Sequence, residues 1–155
     1  MVKRAIKSAL AVGLMTVSMA SFGQYNYQTL PDKSPLNGSL FDQVGKTKNV
    51  DARILYSISL VESNRSAGVA KHVKPDHLVL RAPDRIYRAD DKEDACERLN
   101  IYAARYKNMV DVGLMQVNLK WNGHRVADRC ELIDPANNIR VGAQILREEL
   151  DKGGL

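Results

Sequence analysis

Glutamate suits the delivery of a proton to a leaving group, and in the stretch ILYSISLVESNRS, residues 54 to 66, one glutamate stands among aliphatic neighbours. Taken as a helix that turns about 100° per residue, the stretch brings Val61, Ile54, Ile58, Glu62 and Leu55 onto one arc of about 120°. A lone carboxylate on such an arc costs several kcal/mol unless it is paired or neutral. Glu62 therefore has either a structural partner, with Arg53, Arg65 or a cluster of backbone N–H groups at hand, or a chemical task. At a helix end, where an apolar face meets a polar loop, a partly desolvated glutamic acid can hold a proton and pass it on.

A second stretch, DVGLMQVN from Asp111, sets two amides, Gln116 and Asn118, two residues apart among apolar side chains. Amides donate to and accept from hydroxyl and N-acetyl groups, which suits sugars, and Met115 can pack on ring faces. Gly113 stands where backbone can approach a ligand. The alternative is that the whole segment is core. Asp111 is open to a plainer reading, an exposed acid capping the short helix that follows.

The elements that would position these groups follow from pattern. Asp51 can cap a helix running to about Glu62 or Ser63, and Ser-Asn-Arg-Ser-Ala-Gly after it is loop chemistry. HLVLRAPDRIYRA holds two short apolar runs around Ala-Pro-Asp, a hairpin signal. In DKEDACERLNIYAARY, Ala95, Leu99, Tyr102 and Tyr106 recur at helical spacing. Asp134 followed by Pro135 opens a last helix, whose stripe of Ile139, Ala143, Leu146 and Leu150 runs to Gly153 and Gly154. The fold class expected is α+β, mainly α, with a small β-hairpin insert.

The chain begins with Lys3, Arg4 and Lys7, an apolar run from Ala9 to Ala20, and small residues to Gly23, the pattern of a secretory signal peptide over residues 1–23. Its run is shorter than the roughly 20 apolar residues of a membrane span, so no stable membrane anchor is expected after cleavage. Residues 24–49, rich in Pro, Gly, Asn and Ser, read as a flexible N-terminal segment, with the domain over 50–155. Without the three N-terminal cations the formal net charge of +5 falls to +2, and the remaining Lys and Arg are interspersed with acids. That excludes a nucleic-acid footprint. Cys96 and Cys130, the only cysteines, read as a disulfide in an oxidising compartment, with two buried free thiols as the alternative. His72, His77 and His124 lack ligand spacing, so neither metal nor cofactor is expected.

In their order and spacing, LYSISLVESNRS, DVGLMQVN and DPANNIRVGAQILREEL resemble the lytic transglycosylases of the SLT type, and among them the small periplasmic enzymes of conjugation and type IV secretion systems. The resemblance implies a lysozyme-like domain, Glu62 as catalytic acid, Ser63 and Ser66 as serines of its loop, and Gly113, Leu114, Met115, Gln116 and Asn118 as substrate-binding. It also implies that Asn138, Ile139 and Gly142 lie on a helix behind the site. The activity implied is cleavage of the bond between N-acetylmuramic acid and N-acetylglucosamine with formation of a 1,6-anhydro ring. The implied partners are peptidoglycan glycan strands and components of the secretion apparatus. DVGLMQVNLKW resembles the animal lysozymes' segment as well, which makes Asp111 a possible second carboxylate and a hydrolytic muramidase the rival enzyme. Relatives continue past the equivalent of Leu155 into a further helix, so the C-terminal part of the domain is expected to be missing. A non-catalytic glycan-binding assembly factor is the rival outside enzymes.

Overall fold

The computed structural model describes residues 29–67 and 72–153; the expected signal peptide, residues 24–28 of the flexible segment, and Gly154 lie outside the described residues. Helix α1, Leu40–Lys48, is capped by Ser39, whose hydroxyl accepts from the Asp42 N–H. It closes on Asn49 in the left-handed conformation. This corrects the expectation of a flexible segment up to residue 49. The polar composition hid a helix whose Phe41 and Val44 pack on the core, beside the helices that begin at Ala52 and Pro135.

Helix α2, Ala52–Ser63, starts at Asp51 as expected, and the Arg53 guanidinium beside that cap holds its carboxyl below the usual carboxylate range. The chain then passes directly into strand β1, Asn64–Ala67, which pairs antiparallel with β2, His72–Pro75. Sequence chemistry read β1 as loop. Strands β3, Val79–Ala82, and β4, Arg85–Arg88, form the expected hairpin around Pro83 and Asp84. Helix α3, Lys92–Arg105, buries Ala95, Leu99 and Tyr102.

Two short strands complete a four-stranded antiparallel sheet in the order β4-β3-β5-β6: β5, Asp111–Val112, and β6, Val117–Asn118. A short helix α4, Leu119–Asn122, and two 3-10 turns lead to α5, Pro135–Asp151, capped by Asp134 with Pro135 in its first turn. The second 3-10 turn, Arg129–Ile133, is joined to α3 by a disulfide between Cys96 and Cys130, with Cα atoms 5.3 Å apart. Leu55, Leu80, Leu99, Val112, Leu132 and Ile139 meet in the centre, all fully buried. The described residues thus form a mainly α, α+β architecture. None of their helices is long and apolar enough to cross a membrane.

Candidate active site

Glu62 lies in the last turn of α2, half-buried. Its surroundings differ from the expected apolar arc: Val61 is 74% exposed and Ile54 39%. The face turned to the core buries Ala52, Leu55, Ser59 and Ser63, with Ile58 packed partly against it. Two serines made that stripe hard to read, and both are satisfied within the helix. The Ser59 hydroxyl donates to the Tyr56 carbonyl, and the Ser63 hydroxyl to the Ser59 carbonyl, each at 2.8 Å. Ser63 is 1% exposed and also accepts from the Asp76 N–H, so it supports the helix end instead of contacting sugar. The backbone of Ser66 lies in β1; its side chain is not described.

The structural partners available to Glu62 are otherwise engaged. Arg53 pairs with Asp51, and Arg65 lies 3.8 Å from Asp76. Among the described residues the Glu62 carboxyl has no hydrogen bond or ion pair, whereas its backbone carbonyl accepts from Arg81 Nη2 at 3.2 Å. An unpaired carboxyl beside open surface is free to exchange a proton with a ligand.

The Gly113–Gln116 turn joins β5 to β6, and its residues divide the labour differently from the expectation. Gly113, at φ +72°, is closely approached by the protein itself: a Cβ there would lie 2.6 Å from Asn138 Nδ2. Asn138, on α5 and fully buried, donates to the carbonyls of Val112 and Leu132 at 2.8 Å and accepts from the Met115 N–H at 2.7 Å. Leu114 and Met115 are buried in the core, and Met115 fills the space left by Gly142, where a Cβ would come within 2.7 Å of it. Neither offers a surface to a sugar ring.

Gln116 differs from its neighbours. Its φ of +44° is left-handed, a costly conformation for a residue with a side chain, and such strain concentrates at functional sites. Its Nε2 donates to the Gly113 carbonyl at 2.8 Å, while its Oε1 is buried without a hydrogen-bond partner. Buried acceptors are rarely left so, which sets this amide apart from its neighbours.

Asn118 is spent on structure. It donates to Asp111 Oδ1 at 2.7 Å and caps α4 by accepting from the Lys120 N–H. The expected capping role of Asp111 thus falls to Asn118, and Asp111 stands half-buried in β5 with one oxygen held. Its register partner in β3 is Arg81, the residue bound to the Glu62 carbonyl. The acid at the end of α2 and the strained amide are therefore tied to one sheet. Sequence reasoning missed Asp76, Arg81 and Arg88; the charges at 81, 84, 85 and 88 along LRAPDRIYR were the available signal for the arginines, and Asp76 had none. Among the described residues no three His, Cys, Asp or Glu side chains converge as a metal site.

Residues 39–154 match the family model described as Transglycosylase SLT domain. No curated protein and no solved structure gives a significant match.

Proposed function

Since the chain belongs to the transglycosylase SLT domain family, whose members are lytic transglycosylases acting on peptidoglycan, we propose that it cleaves the β-1,4 bond between N-acetylmuramic acid and N-acetylglucosamine. Glu62 donates its proton to the glycosidic oxygen as the bond to the muramic C1 breaks. The resulting carboxylate takes the proton of the muramic 6-hydroxyl while that oxygen bonds to C1. A 1,6-anhydro ring closes, no water is consumed, and Glu62 regains its proton.

The observation that carries this reading is the Gln116 Oε1, buried and unpartnered on a strained turn. A rotation of this half-buried amide toward solvent would bring the oxygen within reach of a sugar N–H or hydroxyl. The remainder of GLMQ is committed to packing, so substrate recognition at this turn falls on one amide.

The resemblance to the small conjugation-associated enzymes supports local opening of the wall for an envelope-spanning secretion apparatus, in the periplasm, as the setting of the reaction. Incubation with purified sacculi, followed by mass spectrometry of the released fragments, tests the chemistry. Anhydro products, one water lighter than hydrolysed ones, support it. Reducing ends together with a requirement for Asp111 would replace it with a retaining muramidase. Binding without release would replace both with a glycan-binding factor.

A further inference from the structure

Three consecutive carbonyls at the junction of α2 and β1 each receive a donor from outside the helix. Arg81 Nη2 donates to the Glu62 carbonyl at 3.2 Å, the Asp76 N–H to the Ser63 carbonyl at 3.2 Å, and Arg88 Nη2 to the Asn64 carbonyl at 2.7 Å. A helix leaves its last four carbonyls without partners of its own. A left-handed residue after the helix commonly returns the chain to bond them, but Asn64 has φ −51° and ψ 141°, extended backbone that leads straight into β1. The donors therefore come from the hairpin β3–β4 and from Asp76, the residue after β2. Two guanidinium groups there also meet the negative end of the helix dipole.

The arrangement is itself held in place. Arg88 Nη1 donates to Asp76 Oδ2 at 2.7 Å, Asp76 is 7% exposed, and its other oxygen accepts from the Leu78 N–H at 3.0 Å. Arg88 thus uses both arms of its fork, one on a buried carboxylate and one on the carbonyl two residues past Glu62. Arg81 sends one arm to Glu62 itself, from a strand position paired with Asp111.

We infer that Arg81 and Arg88 are positioning residues that clamp the end of α2, and with it the Glu62 carboxyl, onto the sheet carrying Asp111 and the Gly113–Gln116 turn. In its effect on turnover the inference rests on Glu62 being the acid; in its effect on the helix end it does not. The two arginines differ in what can replace them. A lysine offers a point charge with no fork, so it can take over the single bond of Arg81 but not the double engagement of Arg88.

The test combines the kinetics of full-length protein on soluble, uncrosslinked glycan strands with amide hydrogen exchange. Arg81→Ala is expected to lower kcat about 10- to 100-fold with KM within about threefold, the signature of a misplaced reacting group. Arg81→Lys is expected to return to within about threefold of wild type, and Arg88→Lys is not. The Asp76 amide should exchange faster in Arg81→Ala and Arg88→Lys while amides in the middle of α3 keep their protection. A wild-type kcat in Arg81→Ala, a loss confined to KM, or a loss of protection spread equally through α3 would each overturn the clamp. Should the wild-type protein release no anhydro product while the Asp76 amide still loses protection selectively, the proposed activity falls and the clamp stands; unchanged protection defeats the clamp whatever the activity.

Discussion

Asn138 and Gly113 lie so close that a methyl group added to Gly113 would sit 2.6 Å from the Asn138 side-chain nitrogen. This approach lets one amide from α5 hold both ends of the turn behind the site, with bonds to Val112, Met115 and Leu132. Gly113→Ala combines overpacking with a left-handed φ and should destabilise by about 3 kcal/mol. Asn138→Ala strands three buried backbone groups and should cost about 3 kcal/mol or more. Urea unfolding measures both; losses under about 1 kcal/mol would show that the turn holds itself.

Glu62→Gln should lower turnover of sacculi by about 10²- to 10³-fold, the range of a lost general acid and base. The carboxyl has no partner among the described residues, so the melting temperature should move by less than about 2 °C. A variant that stays active removes Glu62 from the chemistry.

Gln116→Gly separates the two roles of a strained amide. It relieves the left-handed φ and removes an unpartnered buried oxygen, at the loss of the bond from Nε2 to the Gly113 carbonyl. Stability should remain within about 1 kcal/mol of wild type. Affinity for glycan strands should drop by about tenfold or more, as for a polar contact left unpaired. Unfolding with unchanged affinity in a pull-down on sacculi would make Gln116 a structural amide.

Arg125 Nη1 and Nη2 donate to the two oxygens of Glu148 at 2.8 and 2.7 Å, and with help from Gln144 they hold its carboxyl at about 2, down from 4.5. A carboxyl with a depressed folded value stabilises the fold above its unfolded value and loses that contribution as pH falls through the folded one. Melting temperature should therefore fall between pH 4.5 and about 2 more steeply in wild type than in Glu148→Gln. Parallel curves would show that the half-buried pair contributes nothing measurable.

Replacing both Cys96 and Cys130 by Ser opens a link between positions 34 residues apart. In the chain-entropy account this should cost about 4 kcal/mol. Thiol labelling in denaturant without reductant checks the premise: the purified protein should show no free thiol.

What could be read from sequence was local. Asp51, the Asp134–Pro135 pair and the hairpin at Pro83–Asp84 are signals spoken by neighbouring residues, and each element begins or turns where they say. Helix α1 was missed because its stability comes from α5, and β1 because its partner, His72–Pro75, is needed before Asn-Arg-Ser becomes a strand. At the site, composition identified a segment of amides among apolar groups but not which atoms the fold would satisfy. Asn118 is consumed by Asp111 and the α4 cap, and Met115 by Gly142; of the two amides only Gln116 keeps an acceptor without a partner. That distribution depends on α5, more than twenty residues further along the chain.

Helix α1 finds its packing partner in α5, and the Asn49 carbonyl that closes α1 accepts from Arg147, 98 residues later. A ribosome adding about 5–20 residues per second needs roughly 5–20 s to bridge that interval. Over that interval α2 and then the sheet are synthesised, while the face of α1 that packs on α5 waits for its cover. The same closure raises the contact order of the domain, which slows its folding.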